Sequence, residues 1–130
     1  MSEQLGIVYT PIEIADFIIN SVNDALKQEF DCDFNNENVN IIDPFVGTGT
    51  FIVRLIQSGL INKENIKRKY NEEIFANEIV LLAYYIAAVN IENAFKNASE
   101  SEYYFPFNGI CLTDTFQTAE DQNYFSSFFQ

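Results

Sequence analysis

The sequence contains no histidine and no tryptophan, and only two of its 130 residues are cysteine. The absence of histidine excludes any mechanism that needs an imidazole base. Cys32 and Cys111 lie too far apart to form a short metal-ligand motif, so we predict no metal site and two free thiols in a reducing compartment. The N-terminus lacks the basic segment of a signal peptide, and the longest apolar run, 79–89, is shorter than the roughly 20 residues of a membrane span. The prediction is a soluble cytoplasmic protein.

Basic residues are scarce as well. Seven Lys and Arg against nineteen Asp and Glu give a net charge of −12. An acidic surface repels nucleic-acid phosphates and gains nothing from counterion release. If the parent protein binds DNA, most of the contact is therefore expected to come from regions outside this chain. Because 48% of the residues are hydrophobic, including 13 Phe, we expect residues 1–130 to form a single globular domain.

Apolar periodicity and turn residues predict alternating helices and strands. Thr10 and Glu13 form a capping-box pattern at the start of the first helix. The predicted helices cover 11–29, about 51–59 and 79–95, and the predicted strands cover 39–43, 74–78 and 107–112. The helix over 79–95 is apolar on nearly all sides and is expected to be buried. This order predicts an α/β fold with a parallel sheet and flanking helices, half of a doubly wound fold, preceded by an N-terminal helix.

Two further segments carry predictions about binding. The segment 62–70 holds four of the seven basic residues, which predicts a solvated helix face, with contact to a DNA backbone as the alternative. The first strand of a half-sheet has an open edge, which invites pairing with another chain. A C-terminal group of aromatic residues also lacks a predicted partner, so we predict possible self-association through both features. These aromatic residues are Tyr124, Phe125, Phe128 and Phe129.

Each predicted strand ends in a carboxylate: Asp43, Glu78 and Asp114. In parallel α/β sheets, ligands bind beyond the carboxyl ends of the strands. An acidic residue after the second strand is typical of sites that hold ribose hydroxyls, and a third can accept a hydrogen bond from an amino group of a base. Together the three carboxylates predict a nucleoside-containing cofactor whose other end needs no phosphate.

The turn after the first strand distinguishes among nucleotide cofactors. Gly47 and Gly49 allow the backbone to approach a ligand closely. A phosphate-binding loop would require Lys after Gly49, and a dinucleotide-binding loop would require a third glycine where this sequence has Ile52. Asp43 would also repel a pyrophosphate. The turn therefore favours a cofactor with a cationic or amino-acid end.

Four segments resemble motifs of amino-methylating DNA methyltransferases. Segment 43–51, Asp-Pro-Phe-Val-Gly-Thr-Gly-Thr-Phe, is similar to the family's S-adenosylmethionine-binding motif, and Tyr-Thr-Pro at 9–11 to the additional motif of the adenine-modifying group. Asn-Glu-Ile at 77–79 resembles the ribose-binding motif, and Leu-Thr-Asp-Thr-Phe at 112–116 resembles the motif beside the adenine. The motifs follow the family's order over nearly the whole chain. Their residue sequences are similar to those in the methylase portion of large single-chain restriction–modification enzymes.

The resemblance implies a partial Rossmann-like S-adenosylmethionine-dependent methyltransferase fold. In this family pattern, Thr10 and Pro11 meet the methionine end of the cofactor, and Asp43 holds its amino group. Glu78 bonds the ribose, Ile79 packs on the adenine, and the loop 114–116 contacts the adenine amine and covers the ring. The implied cofactor-binding residues are Tyr9, Thr10, Pro11, Asp43, Pro44, Phe45, Gly47, Thr48, Gly49, Glu78, Ile79, Asp114, Thr115 and Phe116.

The family's catalytic motif, Asn or Asp followed by Pro-Pro and an aromatic residue, does not occur in this sequence. The prolines are Pro11, Pro44 and Pro106, none of them adjacent. That motif orients the amino group of the flipped base, so no catalytic residue is assigned here. The interpretation is the S-adenosylmethionine-binding portion of a DNA adenine-N6 methyltransferase, inactive alone. The alternatives are a methyltransferase for RNA, protein or a small molecule, and a non-catalytic interaction module.

Overall fold

The computed structural model describes residues 9–120, with the side chains of 9–117. Its sheet consists of the parallel strands β1 (Ile41–Asp43), β2 (Ile74–Glu78) and β3 (Ile110–Leu112), in the order β1-β2-β3. Asp43 pairs with Ala76, and Glu78 pairs with Leu112. Because the strands are parallel, their carboxyl ends lie at one edge of the sheet. The predicted α/β architecture with a parallel sheet is confirmed.

Helices connect and flank the strands. They are α1 (Ile12–Phe30), α2 (Thr50–Ser58), α3 (Lys63–Arg68), α4 (Leu81–Ser99) and α5 (Thr115–Glu120), and a π-helical turn, Lys69–Glu73, leads into β2. Helix α2 lies between α1 and α4 and contacts both. Tyr70, from the π-helical turn, stacks on Phe95 of α4 with the ring centroids 3.8 Å apart. Within residues 9–120, no helix is both long and apolar enough to cross a membrane.

The start of α1 differs from the prediction. Pro11 is the residue before the first helical position, and its carbonyl accepts hydrogen bonds from the Ile14 and Ala15 N–H groups at 3.1 and 3.0 Å. No side chain caps this end of the helix. The capping box predicted from Thr10 and Glu13 is therefore wrong, because Pro11 occupies the capping position and leaves Thr10 one residue too far from the helix.

The prediction that the helix after β2 is buried on nearly all sides is wrong. Helix α4 buries one face, on which Ala83, Ala87 and Ile91 pack against the rest of the domain. Its opposite face carries apolar side chains that are more than half exposed in the described structure: Leu81, Leu82, Tyr85 and Val89. The apolar composition of α4 predicted packing on both of its faces, but the described residues pack against only one face.

The prediction of a solvated helix face for the basic segment before β2 holds for Lys63 and Lys67, which are exposed, but not for Lys69. Lys69 is fully buried, and its ammonium donates to the Asn36 and Val39 carbonyls at 2.5 and 2.8 Å and lies 3.0 Å from the Glu73 carboxylate. Glu73 also accepts a hydrogen bond from the Arg68 guanidinium. Burial raises the pKa of Glu73, but its cationic and N–H partners outweigh that effect and hold the pKa below its ordinary value.

The other two basic residues of that segment also have partners. Lys63 pairs with Glu100 at 2.6 Å, and the Lys67 ammonium lies 5.0 Å from the centroid of the Phe105 ring. Both side chains are exposed, and exposed ion pairs are weak, so the alternative of a DNA-backbone contact stays a prediction for these two residues. The arrangement also explains why β1 begins at Ile41 instead of residue 39, since the Val39 carbonyl is taken by Lys69.

Strand β3 is shorter than predicted, because it begins at Ile110 instead of residue 107. Phe107 is buried against Tyr70, with ring centroids 5.3 Å apart, and its N–H donates to the Glu92 carboxylate at 3.0 Å. The chain then passes so close to β2 that a Cβ on Gly109 would lie 2.2 Å from the Ile74 carbonyl oxygen. The Gly109 carbonyl already accepts from the Ala76 N–H of β2 at 2.8 Å, whereas Phe107 is held by side-chain packing and by Glu92.

Candidate functional site

The carboxylates at the strand ends lie at one edge of the sheet, as predicted. Asp43 ends β1, Glu78 ends β2, and Asp114 follows β3. One carboxylate oxygen of Asp43 accepts from the Phe45 N–H at 3.1 Å, whereas the other is buried without a hydrogen-bond partner among the described residues. Burial raises the pKa of Asp43, the Phe45 N–H opposes this, and the nearby charge of Glu78 raises it further. A hydrogen-bond donor or cation would stabilise such an oxygen.

Glu78 connects the second strand to the glycine turn. Its carboxylate accepts from the Gly47 N–H at 3.0 Å and from the Val80 N–H at 3.3 Å, at the start of α4. Each carboxylate oxygen has two lone pairs, so both can still accept a further hydrogen bond. Glu78 therefore shapes the turn while retaining capacity to bind a hydroxyl group.

Glycine occupies the two positions of the turn for different structural reasons. Both adopt positive φ, 58° at Gly47 and 92° at Gly49. A Cβ on Gly49 would lie 3.3 Å from the Ile91 side chain and 3.4 Å from the Ala87 backbone, so glycine permits the turn to pack against α4. A Cβ on Gly47 would meet no atom within 4 Å, so the space around this glycine is open where its N–H donates to Glu78. Here a ligand can approach the backbone closely.

An ion pair fixes α1 beside the turn. The Arg54 guanidinium donates to both carboxylate oxygens of Asp16 at 2.8 and 2.7 Å, which links α2 to α1 and lowers the pKa of Asp16. Ile12, at the start of α1, lines the same surface groove as Thr48 of the turn. Segment 9–11 immediately precedes Ile12. The helix start next to the N-terminal motif thus lies near the glycine turn, and the cofactor contact of segment 9–11 stays a prediction.

Exposed apolar side chains accompany the carboxylates. Phe45 and Phe116 come from the loops after β1 and β3, are 61% and 72% exposed, and have ring centroids 5.6 Å apart. Ile79, directly after Glu78, is 62% exposed. Isolated exposed apolar residues need no explanation, but flat rings beside hydrogen-bond acceptors provide the two kinds of contact that a nucleobase uses.

The structure places all fourteen predicted site residues in its described part, with different accessibility. The exposed ones are Tyr9, Pro11, Phe45, Ile79 and Phe116; the half-buried ones are Thr10, Asp43, Pro44, Gly47, Thr48, Glu78, Asp114 and Thr115; Gly49 is buried. The glycine turn, Glu78 and the pair Phe45–Phe116 are brought together by direct contacts. The aromatic residues at 124–129 lie outside the described residues.

Asn77 was not among the predicted site residues. Its side-chain nitrogen donates to the Thr113 carbonyl at 3.0 Å and to the Thr115 hydroxyl at 2.6 Å, and that hydroxyl donates to the Pro44 carbonyl at 2.6 Å. The sequence could have drawn attention to Asn77 because it is a polar residue near the end of an otherwise apolar strand, directly before Glu78. Its partners are 36 and 38 residues away, so sequence could not identify them.

With this geometry in view, the comparisons with known proteins decide the family. The model of the family described as N-6 DNA Methylase matches residues 1–127. The chain belongs to this N-6 DNA methylase family. The prediction made from the four ordered motifs is therefore confirmed at the level of the family. A search of curated proteins gave no match for this methylase chain.

Solved structures support the same conclusion. The chain is similar to a nuclease-deletion mutant of the Type ISP restriction-modification enzyme LlaGI in complex with a DNA substrate mimic, with 49% identity and a TM-score of 0.81 over 94% of this chain. It is similar to the ATP-dependent Type ISP restriction-modification enzyme LlaBIII bound to DNA, with 49% identity and a TM-score of 0.82 over 95%. It also resembles DrdV in a DNA complex, with 39% identity and a TM-score of 0.84 over 93%.

These matches confirm the partial methyltransferase fold and the resemblance to restriction–modification enzymes. The N-6 DNA methylase chain spans only 11%, 9% and 12% of the length of the three matched chains. The cofactor-binding roles of individual residues stay predictions.

Proposed function

We propose that this chain is the S-adenosylmethionine-binding portion of a DNA adenine-N6 methyltransferase within a Type ISP-like restriction–modification enzyme. The complete enzyme would transfer a methyl group to the exocyclic amine of adenine. Family membership and the 49% identity to two Type ISP enzymes support this proposal. Their complexes with DNA, or with a DNA substrate mimic, also support DNA as the substrate.

One observation carries the cofactor assignment: the buried carboxylate oxygen of Asp43, which has no hydrogen-bond partner among the described residues, at the start of the turn that contains Gly47. S-adenosylmethionine carries an ammonium and a sulfonium cation, and an ammonium or hydroxyl donor would satisfy this oxygen and lower the energy of the ionised carboxylate. A pyrophosphate cofactor would instead be repelled. The donor requirement of Asp43 therefore fits the methionine end of this cofactor.

The other contacts suit the nucleoside end. In the proposal, Glu78 accepts from the ribose hydroxyls, and Ile79 and Phe116 pack on the adenine. Asp114 accepts from the adenine amine, with its position set partly by the Phe116 N–H, which donates to its carboxylate at 3.0 Å. Phe45, in contact with Phe116, extends the same apolar surface.

The bound cofactor supplies an electrophilic methyl group, and this chain's residues bind and orient it. Holding the flipped adenine belongs to the Asn/Asp-Pro-Pro-aromatic motif, which is absent from this sequence. With a net charge of −12, the chain is also a poor source of phosphate contacts. Base positioning and most DNA binding are therefore assigned to regions outside this chain.

Glu78→Gln tests the nucleoside contacts, and Glu100→Gln is its control, because Glu100 pairs with Lys63 away from the strand ends. We expect Glu78→Gln to weaken binding of labelled S-adenosylmethionine roughly tenfold, equivalent to about 1.4 kcal/mol. Glu100→Gln should leave binding unchanged. Equal affinity of both variants and the wild type would remove Glu78 from the site.

The substrate assignment needs a separate assay of methyl transfer. A protein that contains both this chain and the catalytic motif should transfer labelled methyl groups to adenine in DNA, whereas the 130-residue chain alone should transfer none. Label that appears in RNA, protein or a small molecule in place of DNA would support the alternative substrate classes. Label transferred to DNA by the chain alone would contradict its proposed dependence on other regions.

A second candidate function is a non-catalytic interaction module. The exposed apolar face of α4 favours it, as does β1, which pairs only with β2 among the described strands. On this proposal the chain associates with itself or another protein and has no affinity for the cofactor. Sedimentation analysis with and without S-adenosylmethionine separates the two functions, because association without cofactor binding would support the module.

A further inference from the structure

We propose that Asn77 and Thr115 are positioning residues that fix the spacing of the cofactor-binding carboxylates. This inference rests on the proposed cofactor site; it adds Asn77 and gives Thr115, one of the predicted cofactor-binding residues, a positioning role in place of a ligand contact. Its basis is a chain of hydrogen bonds across all three strand ends. The Asn77 amide donates to the Thr115 hydroxyl at 2.6 Å, and that hydroxyl donates to the Pro44 carbonyl at 2.6 Å.

Each member of this chain of hydrogen bonds is next in sequence to one of the carboxylates. Pro44 follows Asp43, Asn77 precedes Glu78, and Thr115 follows Asp114. Backbone contacts extend the connection, because the Asn77 carbonyl accepts from the Val46 N–H at 3.0 Å and the Glu78 carbonyl from the Thr113 N–H at 3.0 Å. A displacement of one loop is therefore transmitted to the others.

The direction of each hydrogen bond follows from the partners. The Asn77 nitrogen must face the Thr113 carbonyl, because its oxygen would be repelled there. The same nitrogen donates to the Thr115 hydroxyl oxygen, and the Thr115 hydroxyl in turn donates its proton to the Pro44 carbonyl. Asn77 is only 9% exposed, so solvent competes little for these bonds. Thr115 thus acts through its neighbours instead of offering its hydroxyl to the cofactor.

The test removes the hydroxyl while keeping the shape of the side chain. Thr115→Val lacks the donor and acceptor, Thr115→Ser keeps both, and Thr115→Ala serves if valine impairs folding. Ser99→Ala is the control, since it deletes a hydroxyl that donates to the Phe95 carbonyl at 2.7 Å near the far end of α4. The readouts are the Kd for S-adenosylhomocysteine, the melting temperature, and the amide resonance of Gly47 without ligand.

We expect Thr115→Val to weaken S-adenosylhomocysteine binding about tenfold. Thr115→Ser should stay within about twofold of the wild type, as should Ser99→Ala. The Gly47 resonance should move in Thr115→Val alone, because its N–H is bonded to Glu78. The melting temperature should fall further for Thr115→Val than for Ser99→Ala, because valine leaves the Pro44 carbonyl without its donor and one Asn77 N–H without its acceptor. A merely structural role would change stability without changing affinity.

The outcomes separate this inference from the proposed function. Binding by the wild type with equal affinity in Thr115→Val overturns the positioning role and leaves the cofactor site standing. Absence of binding by the folded wild type contradicts the cofactor site. The Gly47 resonance then decides whether the hydrogen bonds connect the loops. An unchanged resonance in Thr115→Val overturns the connection between the loops, and a displaced one supports it.

Discussion

Asp43→Asn should improve the stability of this domain while damaging its cofactor site. The substitution keeps the shape of the side chain and its acceptor for the Phe45 N–H, which lies 3.1 Å from the carboxylate. It removes a negative charge that burial and Glu78 make unfavourable, so the free energy of unfolding at pH 7 should rise by on the order of 1 kcal/mol. The gain comes from removing the charge that the proposed cofactor requires.

The effect on stability should depend on pH in a defined direction. The pKa of Asp43 is raised above its ordinary value of 3.8, so the folded state holds the proton more strongly than the unfolded state. The protonated form stabilises the fold fully below 3.8, and this contribution is lost as the pH rises through the elevated pKa. The difference in free energy of unfolding between Asp43→Asn and the wild type should therefore grow as the pH rises from 3.8 through the elevated pKa. At higher pH the difference should stay constant.

The effect on binding should be opposite. A charge-assisted hydrogen bond contributes about 1.5–3 kcal/mol, so the Kd for S-adenosylhomocysteine should rise roughly tenfold to a hundredfold. Thermal melts from pH 3 to 8 and calorimetric titrations at pH 7 measure both effects. Asp24→Asn, an exposed charge removal on α1, is the control and should change neither property much. An Asp43→Asn protein that is less stable at pH 7 yet binds with unchanged affinity would refute the reasoning.

Two further predictions concern stability. Gly49→Ala should cost more than Gly59→Ala, about 2–3 against about 1 kcal/mol, because both have positive φ but only the Cβ at 49 would press on α4; equal costs in denaturant melts would contradict the packing argument. Lys69→Met should destabilise the fold by about 3 kcal/mol or more, since it leaves the Glu73 carboxylate buried beside unsatisfied carbonyls. The exposed Lys63→Met is its control, and a similar melt for both variants would show that the buried ammonium is dispensable.

Local patterns predicted the elements whose residues interact with near neighbours. The prediction for β2, 74–78, matches its observed bounds, because the apolar strand residues and the helix signal that follows them both act within a few residues. Helix α2 ends before Gly59, which adopts positive φ as a glycine at this position commonly does. The ordered motifs predicted the carboxylates and the glycine turn for the same reason.

Features that depend on distant partners could not be predicted in this way. Lys69 is buried because the Asn36 and Val39 carbonyls, some 30 residues earlier, surround its ammonium. Asn77 and Thr115 meet only when β2 and β3 pair. Periodicity also shows that a helix is apolar without showing what covers it, which explains the wrong prediction for α4.

The most direct test of the account is a calorimetric titration of the protein with S-adenosylhomocysteine, with NAD as the control ligand. We predict binding of S-adenosylhomocysteine alone, because Asp43 requires a donor and would repel the pyrophosphate of NAD. Binding of NAD, or of neither ligand by protein shown to be folded, would contradict the assignment of the strand-end carboxylates to an S-adenosylmethionine site.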